Sequence, residues 1–205
     1  MLSSLPARQS LGTSADIVPP VNLFVHWLYT QEIPNDYFST EEMEHVLAQS
    51  IPDEDQFCND MFLILLKAYV FGDRFLSPAF RRATSNRLSD YLRNHVLAGS
   101  TCWDVMRYAF TNIPSDRPIL QHLVDDFCKM HDECHDEEDE DIAAQNELPR
   151  DFLMRVLRAF PDIRNHPPAK IVNRCYYEHT SEEEKNRCKK VHMKFNKAKE
   201  CGYFD

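Results

Sequence analysis

Between Met61 and Leu92 apolar residues recur three and four positions apart on either side of a single break at Leu76-Ser77-Pro78. That spacing fits two helices folded against each other and excludes strands, whose side chains alternate with a period of two. The first segment opens Met61-Phe62-Leu63-Ile64-Leu65-Leu66, apolar on nearly all sides, which predicts a helix enclosed by neighbours. Phe62, Leu65, Leu66, Tyr69 and Val70 form its dominant stripe, and Gly72 is a weak point near its end. Ser77 is a good N-cap for the second segment, with Pro78 at the first helical position, where a missing amide is harmless. Phe80, Thr84, Leu88, Tyr91 and Leu92 line the expected buried side there, while Arg81, Arg82, Arg87 and Arg93 are expected in water.

A shorter pattern precedes this pair. Val21, Phe24, Val25, Leu28 and Tyr29 fall at i, i+3, i+4, i+7 and i+8, one face of a helix over about 20–30 that Pro19 and Pro20 open. Pro34 pushes Ile33 from helical angles, so residues 31–34 are expected to leave the helix extended, with at most one short strand. Further helices are predicted from Ser39 or Thr40, from Ser100 or Thr101 to Thr111, from Pro118, and from Pro149, whose core side would be Phe152, Leu153, Val156, Leu157 and Phe160. Pro161 is expected to break that last one. Ser181 and Glu184 form a capping box for a basic helix reaching about Glu200. Only 4 glycines in 205 residues weigh against a β-rich or phosphate-cradling fold. The expected class is mainly α, a helical array.

In order and spacing these blocks resemble part of a BTB/POZ domain of the kind abundant in filamentous fungi. Phe24-x-x-x-Leu28-Tyr29-Thr30 with the extended exit to Ile33 is similar to the mid-domain helix and last strand of that family. Tyr69-Val70-Phe71-Gly72-Asp73-Arg74-Phe75 with Pro78 resembles the helical pair that follows. Ala109-Phe110-Thr111-Asn112, Leu120-x3-Val124-x-Asp126-Phe127 and Leu148-Pro149-x-Asp151-Phe152-Leu153 resemble the helical extension of the fungal members. The resemblance implies a flexible tail over 1–18, the C-terminal half of the domain over 19–95, and a helical extension over 99–165 containing an acidic linker at 132–141. A Cys/His-containing basic segment occupies 166–205. Two departures stand out. Gln31 takes the place where the family puts glycine after Tyr-Thr, so an altered turn is expected. The twenty residues before the first helix are too few for the hairpin and helices that open such a domain.

For this family the fold implies protein–protein interaction, and some members are substrate adaptors of cullin-type ubiquitin ligases. The implied partners are a cullin or another BTB protein, approaching the regions Thr30–Asp36 and Asp73–Ser77, with Thr30, Gln31, Glu32, Asp73 and Arg74 as contacts. Two readings compete with this: a small zinc-stabilised structural domain, and a truncated paralogue without retained activity.

The net charge of −10 disfavours nucleic acid as partner, since phosphate binding needs a concentrated positive face. No apolar run is long enough for a membrane span, and the N-terminus has no apolar signal core, so an intracellular chain is expected. Its seven scattered cysteines are then expected to be free thiols. The sequence has no glycine-rich phosphate loop, no G-x-S-x-G and no H-E-x-x-H, so neither catalysis nor an organic cofactor is expected. The sharpest chemical signal is Cys175-x3-His179-x8-Cys188-x3-His192, four donors of the types that close a zinc tetrahedron. Its spacing is not that of a standard finger, and the alternative is packing cysteines beside surface histidines. A second group, Cys128, His131, Cys134 and His135, runs into the acid-rich stretch 132–141, where eight of ten residues are acidic. That stretch reads as a solvated linker whose charges repel.

Overall fold

The computed structural model describes residues 14–34, 40–47, 54–94, 100–130, 139–165 and 174–190. Among these the chain forms nine helices and no strand: α1 (Ser14–Thr30), α2 (Thr40–Leu47), α3 (Glu54–Arg74), α4 (Pro78–Asn94), α5 (Ser100–Asn112), α6 (Pro118–Met130), α7 (Asp139–Asn146), α8 (Arg150–Asn165) and α9 (182–190). Helix α3 is the hub, with α4, α1 and α5 packed around it. Helix α6 lies on α4 and carries α8, while α2 packs on α1 and α7 on α5. No helix among the described residues is long and apolar enough to cross a membrane.

The predicted stripe of α3 is buried throughout: Phe62, Leu65, Leu66, Tyr69 and Val70, with Met61, Ile64 and Ala68 beside them. Opposite, Phe80, Thr84, Leu88, Tyr91 and Leu92 of α4 are also buried, and Phe62 meets Tyr91 edge-on with ring centroids 4.8 Å apart. Gly72 is where the hairpin closes. A Cβ built there would stand 3.0 Å from the Arg81 backbone nitrogen and 3.0 Å from a Phe80 ring carbon, so only glycine lets α4 come this near.

The hairpin turn follows from the same place. The Ser77 amide donates to the Gly72 carbonyl at 2.9 Å and the Leu76 amide to the Asp73 carbonyl at 3.3 Å, the paired bonds of a Schellman cap. Leu76 holds the left-handed position at φ 54°, one that glycine usually fills, and is 87% exposed. Ser77 then starts α4, its carbonyl accepting from the Arg81 amide.

Helix α1 departs from expectation twice. It begins at Ser14, inside the segment read as a tail, so Pro19 and Pro20 sit within the helix rather than at its entrance. Each proline deletes one bond to the carbonyl four residues back. Both are buried, so packing of their rings offsets the loss. The helix also turns a different face inward. Leu23 and Trp27 are buried, with Phe24 half-buried against Phe71 and Phe80 at centroid distances of 5.5 and 5.1 Å. Val25, Leu28 and Tyr29, predicted to be core, are exposed. The sequence carries two apolar stripes on this helix, and α3 and α4 cover one of them.

At the end of α1 the turn that glycine would make is made by Gln31 at φ 59°. Its amide donates to the Trp27 carbonyl at 2.7 Å, and its side-chain Nε2 donates to the same carbonyl at 3.1 Å. The side chain caps the helix end and so offsets part of the strain. The turn is kept. Residues 32–34 leave without joining a strand, and the Pro34 carbonyl accepts from Arg87 Nε at 2.8 Å.

Two further differences concern the extension. Helix α7 was not foreseen, and it starts within the stretch read as acidic linker, of which 132–138 lie outside the described residues. Helix α8 continues through Pro161 instead of stopping there. It buries Phe152 between Phe110 and Phe127, whereas Leu153 and Leu157, assigned to the core, face outward, because the stripe is wider than the contact with α6 and α5.

Gly72→Ala is expected to lower unfolding stability by about 1–3 kcal/mol despite alanine's better helix propensity. Urea denaturation measures this; an increase in midpoint would contradict the close approach.

Candidate metal centre and the strap that carries it

Residues 174–181 cross the helical body as an extended strap, each docking side chain finding a polar partner. Arg174 pairs with Asp125 of α6 at 2.8 Å, and the Tyr176 hydroxyl donates to the same carboxylate oxygen at 2.6 Å. Gln121 Nε2 donates to the other oxygen at 2.8 Å, so buried Asp125 is fully engaged. The Tyr176 ring stacks parallel on His122 with centroids 4.0 Å apart. The Tyr177 hydroxyl donates to Asp90, and the Arg93 guanidinium lies over its ring at 5.0 Å.

Glu178 makes the most demanding contact. The residue is 8% exposed, and its carboxylate accepts from the Tyr69 hydroxyl at 2.6 Å and from Arg81 Nε and Nη2 at 3.2 and 3.1 Å. Its own amide donates to Asn86 Oδ1 at 2.9 Å. Burial, with the carboxylate beside it, pushes the Tyr69 hydroxyl far above its ordinary range, so it remains a donor. Burial works against the charge on Arg81, but Asp73 and Glu178 outweigh it and hold the guanidinium above its usual value. Arg81, expected in water, is therefore the cation of a half-buried cluster that also includes Asp73 at 2.8 Å.

The strap ends in the predicted cap. The Glu184 amide donates to Ser181 Oγ at 3.1 Å, while the Glu184 carboxylate reaches back to the Thr180 amide at 2.8 Å, one residue earlier than the usual reciprocal bond. Arg82 pairs with Glu184 at 3.3 Å and links the start of α9 to α4.

Of the four predicted zinc donors, the structure brings three together. Cys175 Sγ lies 3.1 Å from His179 Nε2 and 3.7 Å from Cys188 Sγ, and the three donor atoms are all within 4.8 Å of one another. His192 lies outside the described residues. Burial and the neighbouring Cys175 push the Cys188 thiol up to about 12, since a second thiolate at this distance would be repelled. His179 Nδ1 is buried and finds no hydrogen-bond partner among the described residues. In the second cysteine–histidine group, Cys128 is buried, its thiol pushed up to about 11 chiefly by burial, and His131, Cys134 and His135 lie outside the described residues.

The expected partner-facing residues fall in two places. Thr30, Gln31 and Glu32 are exposed at the end of α1, where Thr30 Oγ1 donates to the His26 carbonyl. Asp73 is held between Arg81 and Arg117, and Arg74 is exposed with a bond to Asn112. Phe24 packs on Phe80 whereas Pro34 reaches Arg87, two turns and roughly 10 Å further along α4. The two groups therefore stand at different levels of the hairpin.

No family model, curated protein or solved structure matches the chain. The sequence signal for the strap was thin: Tyr176, Tyr177 and Glu178 show no period, and only the bracketing Cys175 and His179 mark them.

Two buried groups on α6 give this face a pH signature. His122 is lowered to about 3 by burial, with Arg93 and Lys129 adding to it, and Asp126 is raised to about 6 by burial, with Lys129 opposing. As pH falls below 6.5 the unfolded chain binds a proton that folded His122 refuses, so stability is lost down to about 3. Folded Asp126 binds its proton near 6 and the unfolded chain only near 3.8, so that group adds stability over the interval. The slopes, each about 1.4 kcal/mol per pH unit, oppose one another between about pH 6 and 4. Relative to the unaltered chain, His122→Phe should gain stability on acidification from pH 6 to about 4.5 and Asp126→Asn should lose it. Urea midpoints at both pH values test this, and shifts of the same sign would contradict the assignment.

Proposed function

We propose that the chain is a protein–protein interaction module of BTB/POZ type, adaptor-like, and that it receives a partner chain on the uncovered side of α1. The observation that carries this reading is the second apolar stripe of that helix. Val18, Val25 and Tyr29 recur at i, i+7 and i+11 with Leu28 alongside, and Tyr29 and Leu28 are 87% and 51% exposed. Large apolar side chains aligned on one exposed face mark an association surface more often than solitary ones do. The stripe ends at Thr30, Gln31 and Glu32, polar residues suited to the rim of such a contact. Phe75 and Leu76, at the hairpin corner beside Asp73 and Arg74, are exposed as well and give a smaller second contact. The family resemblance adds the partner class: the N-terminal region of a cullin, or another BTB protein.

Titration calorimetry against a purified cullin N-terminal region, with sedimentation of the chain alone, tests the reading. Binding to the cullin, or reversible self-association, is expected. Leu28→Glu with Tyr29→Glu should weaken it by about 2 kcal/mol or more, roughly thirtyfold, while leaving the thermal midpoint unchanged, because neither residue is in the core. A monomer that ignores the cullin region would overturn the proposal and leave a paralogue without retained activity.

A further inference from the structure

The interval between Cys175 and His179 contains Tyr176, Tyr177 and Glu178, the residues that dock the strap on α6, α4 and α3. A thiol and an imidazole thus bracket the docking contacts, and Cys188 of α9 lies close to both. Among the described residues this is the one group of three ligating side chains close enough to share an ion. Two thiolates at 2.3 Å from a tetrahedral zinc stand about 3.8 Å apart. The Cys175–Cys188 separation of 3.7 Å has that span. The thiolate–imidazole edge of such a tetrahedron is about 3.6 Å, so His179 must withdraw slightly from its 3.1 Å approach to Cys175.

We propose that Cys175, His179 and Cys188 bind a zinc ion, and that the ion staples α9 to the strap. Sulfur and imidazole select zinc over calcium or magnesium, which require oxygen. Because its ligands come from both the strap and α9, the ion's role is structural. The ion fixes both ends of the segment Tyr176–Glu178, so zinc loading and strap docking are one equilibrium.

The full-length chain, purified under reducing conditions without chelator, is expected to carry one zinc by native mass spectrometry and elemental analysis. Cobalt(II) added to the stripped chain should give thiolate-to-cobalt charge-transfer absorption with the intensity of two thiolates, a test that needs no variant to fold. Cys188→Ser should lose more zinc affinity than the about 100-fold that removal of an outer-shell partner brings. A chain that takes up no zinc from micromolar solution with its thiols reduced would overturn the proposal, as would a mass two daltons low that maps to a Cys175–Cys188 disulfide.

Discussion

The contact of α3 with α4 at Gly72 is the constraint on which the other elements depend. Because a Cβ there would strike the Arg81 backbone and the Phe80 ring, the helices meet closely enough for Phe80 to enter the α1 interface. The same approach sets Tyr69 of α3 and Arg81 of α4 to bind one carboxylate, that of Glu178. Removing one partner from such a buried charge typically costs about 3–5 kcal/mol, far more than a surface pair would. The hairpin is thus both the centre of the core and the receptor for the chain's own C-terminal strap.

The strap makes the polar residues of α3, α4 and α6 intelligible. Asp125, Asn86, Asp90 and Arg81 would otherwise be ordinary polar and charged residues on helix surfaces. Each is oriented by a specific residue between Arg174 and Glu178. Buried polar groups of this kind fix a register as much as they add stability, because each wrong placement leaves a group unsatisfied. The zinc staple proposed for Cys175, His179 and Cys188 would act on the same segment from its other side.

Much of the fold was legible in the sequence where one apolar stripe had no rival. The pairs on α3 and α4, the Ser77-Pro78 start and the Ser181–Glu184 cap followed from period and capping chemistry alone. Helix α1 misled because it has two stripes, and period cannot say which one the neighbours cover. Helix α8 misled through Leu153 and Leu157, which extend the stripe beyond the contact available. Helix α7 has only Ile142, Ala143 and Ala144 to show a period, too few among acids. The meeting of Cys175, His179 and Cys188 was foreshadowed because the residue types that ligate metals leave a spacing in the sequence. The docking of Tyr176–Glu178 was not, since hydrogen bonds between residues 51 to 109 positions apart leave no local pattern.

Hydrogen exchange of the full-length chain, compared with its Glu178→Ala variant, tests the central claim that the strap is seated in the hairpin by one carboxylate. The Glu178 amide donates to Asn86 and the Thr180 and Glu184 amides are bonded within the cap, so all three should be slow in the unaltered chain. In the variant the amides of 174–190 should lose protection while the central turns of α3 and α4 keep theirs. Strap amides that already exchange at unfolded rates in the unaltered chain would contradict the account.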